Sequence, residues 1–275
     1  RYGVVAMASS TDVVGPLTRT TEDAEIIADI LAGPDGHDST VHPSYFQPAT
    51  NKPGKLTIGV IKDFMGEGVD PDVVSRTKSL VDKLRKAGHT IKEVSLPMAK
   101  YALAIYYIVV PAELSSNLAR YDGIRYGVRS PEAKSLDDVY GLSRSAGFMP
   151  ENKRRVMIGA YVLSSGYFDA YYLKAQKART LLIDEFNKLF DECDFLICPT
   201  APTPAFKLGE NTSDPLKMYL ADAMTVPASL AGLPAISVPN GEDSSGLPIG
   251  AQIIGRQKDD AKLLAFTKQI EELTC

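Results

Sequence analysis

The chain has 275 residues, 44% hydrophobic and 23% charged, with a formal net charge of -4 and a pI near 5.5. That balance suits a globular protein with a sizeable core in one large or two small domains, and it excludes a general attraction to phosphates or anionic lipid. Cys193, Cys198 and Cys275 lack C-x-x-C spacing, which argues against a disulfide framework or zinc site and fits a reducing cytoplasm. No apolar run approaches the roughly 18 to 20 uncharged residues of a membrane span, so no membrane partner is expected. The amino end has no signal-peptide pattern. Opening on Arg1 rather than methionine, the chain reads as a fragment.

Thr20 to Gly33 combines a threonine cap, early acids, apolar spacing of three and four, and a final glycine, which predicts a helix. Pro34 to Gly54, rich in Pro, Ser, Thr and Asp and holding His37 and His42, reads as surface loop. Leu56 to Ile61 alternates like a strand, Asp70-Pro71 opens a helix with Val73, Val74, Leu80, Val81 and Leu84 on its apolar side, and Ile91 to Leu96 follows as a second strand. This βαβ unit implies parallel pairing. A helical region from about Met98 to Arg120 contains Pro111, which should kink or split it, and Tyr101, Tyr106 and Tyr107, which read first as core-edge packing.

Helical spacing recurs over Ser135 to Phe148, Pro150 to Ser165 and Asp169 to Cys193, and these three helices are expected to cover a sheet. The apolar run from Asp194 to Cys198 reads as a buried strand feeding the alternating prolines Pro199, Pro202 and Pro204. Asp222 stands alone in the apolar, small-residue run that continues to Pro239. An ionised carboxylate there must be at a surface or face something charged, and it is expected on a helix among buried strands. Ile249 to Gly255 reads as another strand and Asp259 to Leu273 as an amphipathic terminal helix.

His37, His42 and His89 have no second ligand at metal spacing and read as solvated loop residues. No G-x-S-x-G elbow, Walker loop or G-x-G-x-x-G motif opens a helix, and the pairs Ser9-Ser10, Ser115-Ser116 and Ser164-Ser165 are explained as well by caps and turns as by nucleophiles. Lys153-Arg154-Arg155 puts cations near the start of a helix, where they oppose its dipole. Adjacent positions diverge by about 100°, so one arginine faces inward and needs a carboxylate, from the protein or from a ligand.

The runs Ala6 to Thr20, Tyr106 to Gly127, Lys153-Arg-Arg-Val-Met-Ile-Gly159, Ser165-Gly-Tyr-Phe-Asp-Ala-Tyr-Tyr172, Pro199-Thr-Ala-Pro-Thr-Pro-Ala-Phe206 and Leu230-Ala-Gly-Leu-Pro-Ala-Ile-Ser-Val-Pro239 resemble the amidase signature family. Within it they resemble the tRNA-dependent branch, the glutaminase components of glutamyl-tRNA(Gln) amidotransferases. The Pro-Thr-x-Pro and Ala-Gly-x-Pro segments are family-wide, whereas Asn117-Leu-Ala-Arg-Tyr-Asp-Gly123 and the Lys-Arg-Arg helix point to that branch.

The resemblance implies an α/β fold with a mixed sheet covered by helices on both faces, incomplete at the amino end, with residues 1–275 forming the carboxy-terminal part of a single amidase signature domain. It implies hydrolysis of glutamine by a serine, a second serine in a cis peptide, and a lysine, all expected upstream of Arg1, so that no catalytic residue is assigned here and this chain alone is expected to be inactive. On the substrate side, Arg155 matches the position that holds the glutamine α-carboxylate, Asp222 the one that receives its α-ammonium, and Tyr106 a pocket-lining tyrosine. The first two would form a zwitterion clamp, with Lys153 and Arg154 left solvated or structural. Implied partners are the B and C components of the amidotransferase and glutamyl-tRNA(Gln), with ATP and Mg at the partner, none in this chain, and a cytoplasmic or organellar setting. The rival readings are an amidase acting on free amides and a non-catalytic binding or scaffold domain.

Overall fold

A computed structural model of the chain describes residues 2–42, 46–49, 53–210, 218 and 220–274; Cys275 and part of the predicted Pro34–Gly54 loop lie outside them. The described residues form two compact units. One comprises Arg1–Val13 and Ala104–Ala178, the other Val14–Leu103 and Arg179–Cys275.

The second unit holds a five-stranded sheet. In chain order its elements begin with α1 (Thr21–Leu31), β1 (Thr57–Ile61), α2 (Pro71–Lys86) and β2 (Thr90–Val94). Thr20 caps α1 by accepting from the Asp23 amide, and Asp70 caps α2 by accepting from the Asp72 amide, so both predicted helix starts are set by side-chain acceptors. β1 and β2 pair in parallel, as the βαβ pattern requires. The later elements are β3 (Phe195–Pro199), α7 (Val226–Ala231), β4 (Ala235–Glu242), β5 (Pro248–Gly255) and α8 (Asp260–Thr274). The order is β2-β1-β3-β5-β4, with β1 and β3 parallel and β5 antiparallel to both β3 and β4. The fold is therefore α/β with a mixed sheet.

Strand alternation sorts the core onto two faces. Ile58, Phe195, Ile197, Val238, Ala251 and Ile253 share one face, where they pack with Leu80 and Leu84 of α2 and Leu263, Phe266 and Ile270 of α8. Phe195 and Phe266 stack with ring centroids 4.8 Å apart. On the opposite face Leu196, Cys198, Gln252 and Ile254 are also buried, so neither face of the central strands is left to water. α1 is tied to α8 by Lys268–Glu25 at 2.6 Å and by the Thr21 amide on Glu271 at 3.0 Å.

The first unit has no strand among its described residues. Its helices include α4 (Leu136–Gly147) and α5 (Pro150–Val162), while the unit boundary falls within α3 (Ala99–Asn117) and α6 (Lys174–Glu192). The three middle helices divide between the units: α4 and α5 belong wholly to the strandless one, and α6 runs from it into the sheet-bearing one. α4 is nucleated by a reciprocal box in which Ser135 accepts from the Asp138 amide while Asp138 accepts from the Ser135 amide.

Three further expectations are corrected. Of the kink or split expected at Pro111, the split is not found, since α3 runs through it as one helix. The helix expected from Asp169 begins instead as a π-helical segment, Phe168–Leu173, before α6. Asp222 sits in a turn ahead of α7 rather than on a helix, and is exposed, which is the surface alternative left open for it. By length and composition Ala99–Arg120 is apolar enough to cross a membrane, but it buries Ile105, Val109, Val110 and Leu114 inside the protein, as a core helix does.

Candidate functional site

In the first unit the predicted divergence of the two arginines is found. The Arg154 side chain is 52% exposed and the Arg155 side chain 19%. The inward guanidinium donates from Nε to Glu151 Oε1 at 2.9 Å and from NH1 to the Tyr106 hydroxyl at 3.3 Å. It also lies 5.7 Å from the Tyr107 ring and 6.0 Å from that of Tyr106, two rings packed edge to face at 5.0 Å. Burial works against the charge, but the bonds to Glu151 and Tyr106 outweigh it and hold the guanidinium above its ordinary pKa.

This geometry depends on how α5 meets α3. Gly159, one turn after Arg155, is buried against the other helix: a Cβ there would run into the Pro111 carbonyl and stand 2.7 Å from the Ser115 Cβ. Only glycine allows the approach that brings Arg155 onto Tyr106, which gives the last residue of the Lys153–Gly159 motif a physical role.

Glu151 is the partner that the motifs leave unnamed. Its other oxygen takes Arg154 NH1 at 2.6 Å, so one first-turn carboxylate meets both arginines at the spacings of three and four that bring helix side chains together. That spacing is the signal by which it can be found. Glu151 also answers the unfavourable dipole at the start of α5, whose cap residue Met149 has no side-chain cap bond. Lys153 reaches the Ser145 carbonyl at 2.7 Å, in the last turn of α4, and is structural as expected.

In the second unit, the Asp222 carbonyl accepts from the Thr225 and Val226 amides at 3.2 and 3.1 Å, so the backbone of this turn starts α7. α7 ends at Gly232, whose left-handed φ of 67° directs the chain into β4. Buried Gln252 fastens the turn to the sheet by donating to the Met224 carbonyl at 2.8 Å and to Cys198 Sγ at 3.2 Å. Beside the turn lies a cavity of about 620 Å³ lined by Asp63, Phe64, Leu96, Leu103, Leu220 and Met224, just past the carboxyl ends of β1 and β2. Arg155 and Tyr106 are thus brought together within one unit, and Asp222 belongs to the other.

Several of the remaining nucleophile and ligand candidates have structural roles. Burial pushes the Cys198 thiol up to about 12, with Gln252 acting in the other direction, and burial likewise raises Cys193, so neither offers a ready thiolate. Ser115 and Ser164 hydroxyls bond carbonyls three residues back at 2.9 and 2.7 Å. His37 and His42 are exposed, as expected of loop residues. His89 is not: it is 9% exposed, edge-on to Phe266 at 5.7 Å, and its Nδ1 accepts from the Leu56 amide at 3.2 Å. The turn after α2 folds it inward, and burial lowers its pKa.

Similarity to known proteins extends over the whole chain. The A component of glutamyl-tRNA(Gln) amidotransferase from Myxococcus xanthus is 49% identical over 275 residues, covering 98% of this chain and 57% of the relative. The protein of the same name from Gloeothece citriformis is 50% identical over 278 residues, covering 100% and 57%. The crystal structure of the corresponding amidotransferase component from Thermotoga maritima superposes with a TM-score of 0.77 at 36% identity, covering 98% of this chain and 54% of that one. The chain therefore spans a little over half the length of the curated relatives it matches. Residues 1–264 match the family described as Amidase, a match that takes in both the Arg155 helix and the Asp222 turn, and the chain belongs to the amidase family.

Proposed function

We propose that this chain is part of the glutaminase component of a tRNA-dependent amidotransferase and supplies the substrate-recognition side of its pocket. The observation that carries the reading is the half-buried Arg155, bonded to the Tyr106 phenol and flanked by two aromatic rings. A planar, permanently charged fork in such surroundings suits one carboxylate of a small amino acid better than a simple aliphatic amide. Glu151 at its Nε edge and Tyr106 at NH1 fix the orientation of the fork.

In this reading Arg155 takes the glutamine α-carboxylate, Asp222 its α-ammonium, and Tyr106 lines the pocket. The nucleophile and its proton relay come from sequence upstream of Arg1. The amide is hydrolysed to glutamate and ammonia, and the ammonia passes to a partner protein that uses ATP and Mg to convert glutamyl-tRNA(Gln) to glutaminyl-tRNA(Gln). Similarity to the amidotransferase components of Myxococcus xanthus and Gloeothece citriformis over the whole of this chain supports the assignment of substrate and partners.

The test is kinetic, on the full-length protein that contains this chain. Arg155→Ala should weaken glutamine use by roughly 2 to 5 kcal/mol in kcat/KM, the cost of truncating one partner of a buried charge pair, while leaving simple aliphatic amides untouched. Unchanged glutamine kinetics would discard the assignment, and a preference for aliphatic amides over glutamine would indicate a general amidase.

A further inference from the structure

Three polar side chains stand along one face of α3. Tyr106, Glu113 and Asn117 are seven and eleven residues apart, close to two and three turns of helix. The first meets Arg155. The other two meet the segment Met7–Asp12: Glu113 Oε2 accepts from the Ser10 amide at 2.9 Å, and Asn117 Nδ2 donates to the Met7 carbonyl at 3.1 Å and the Ser9 hydroxyl at 2.9 Å.

The segment is itself a built loop. The Asp12 carboxylate accepts from the Met7 and Ala8 amides at 2.8 and 3.0 Å, the Thr11 and Asp12 amides return to the Ala8 carbonyl at 2.8 Å, and Ala8 is 1% exposed. Asp12 shapes the loop, and α3 decides where it sits. Beside the buried Ala8, a charge-assisted bond and an amide that bridges two loop residues fix the loop on α3 by distance and direction. A cavity of about 220 Å³ between Ser9, Glu113, Asn117 and Tyr172 shows that side-chain packing does not fill the junction, which leaves the polar bonds to define it.

We propose that Glu113 and Asn117 are positioning residues of the reaction. They clasp the Met7–Asp12 loop to the face of α3 that presents Tyr106, and so keep whatever precedes the loop in register with the Tyr106–Arg155 pair. The inference rests on the glutaminase reading, in which the nucleophile lies upstream of the loop. Neither residue touches the substrate; both act through the loop.

The experiment uses the full-length amidase with glutamine as substrate. Glu113→Ala and Asn117→Asp, the second nearly isosteric but without the amide donors, should each lower kcat by roughly 10- to 100-fold, the penalty of an ångström-scale misplacement, with KM for glutamine unchanged. Glu113→Gln, whose amide oxygen still accepts from Ser10, should restore most of the rate, and the peptide spanning Met7–Asp12 should exchange amide hydrogens faster in Asn117→Asp than in the parent. An unchanged kcat in Asn117→Asp, a Gln variant as damaged as the Ala variant, or a rise in KM at constant kcat would overturn the inference. If Glu113→Ala does not fold, the Asn117→Asp kinetics and exchange decide. Arg155→Ala, measured alongside, keeps the two ideas apart: glutamine kinetics that ignore Arg155 but lose kcat in the clasp variants would remove the substrate reading and leave the clasp standing.

Discussion

The two units are held together by different means. The sheet-bearing unit has its apolar side chains sorted by strand alternation and closed by α2 and α8, with Phe186, Phe266, Ile197 and Leu196 fully buried. The strandless unit buries Ile105, Val109, Val110 and Leu114 of α3 and adds directed bonds at its joints: Arg144 to the Leu118 and Tyr121 carbonyls at 3.0 Å, Lys153 to Ser145, and Arg155 to Tyr106. Burial is proportional to area and tolerates small shifts, whereas a hydrogen bond specifies a distance and an angle. The residues proposed to grip the carboxylate stand where position is specified.

Substitution at the centre of the apolar unit tests that contrast most severely. Phe266 is 0% exposed, stacked on Phe195 and edge-on to His89, so Phe266→Ala removes a large side chain from a site that cannot collapse around it. A loss of about 3 to 5 kcal/mol in stability to denaturant is expected. A loss below about 1 kcal/mol would mean that the sheet unit is not held mainly by burial.

Gly159→Ala makes the complementary test in the strandless unit. The added methyl would meet backbone, the Pro111 carbonyl, and cannot be relieved by a rotamer change, so the helices must part. A stability loss of about 1 to 3 kcal/mol is expected, with KM for glutamine raised in the full-length enzyme because Arg155 moves with α5. If stability falls and KM does not, the contact between α5 and α3 supports the fold without aiming the arginine.

The same differences explain what is legible in the sequence. β1, β2, β3, β5, α1, α2 and α8 follow from short apolar runs, caps and helical spacing: β1, β3 and β5 are apolar runs buried on both faces, and α1 and α2 start at the capping residues Thr20 and Asp70. β4 is not legible as a strand, because Pro234 and Pro239 interrupt its pattern; it lies at the sheet edge, where a missing amide is tolerated. Where the units divide within α3 and α6 the sequence carries no mark, since both helices run across the division with no break in helical spacing. At the candidate site, the inward arginine follows from helix geometry and Tyr106 from resemblance alone, while Glu151 is open to discovery from its spacing to Arg154 and Arg155. The apolar neighbours of Asp222 suggest a place among buried strands, yet a turn exposes it, and neighbours in sequence do not report the exposure of a turn residue.

The smallest expected effect returns to the apolar unit and the one histidine it buries. The imidazole of His89 accepts the Leu56 amide at Nδ1, which requires the neutral ring, and burial lowers its pKa from 6.5. An unfolded chain therefore takes up a proton that the native protein resists. The contribution of His89 to stability is complete above the unfolded value and is lost as pH falls below 6.5 toward the lowered native value. Its slope is bounded by one proton, about 1.4 kcal/mol per pH unit. Urea midpoints taken between about pH 7.5 and 5.5, above the range in which ordinary carboxylates titrate, should decline toward the acid end, and the decline should vanish in His89→Gln, whose amide oxygen can still accept from Leu56. An identical decline in that variant would assign the proton to another group, and a rise in stability toward acid would mean that the charged ring is favoured in the fold, against the burial seen beside Phe266.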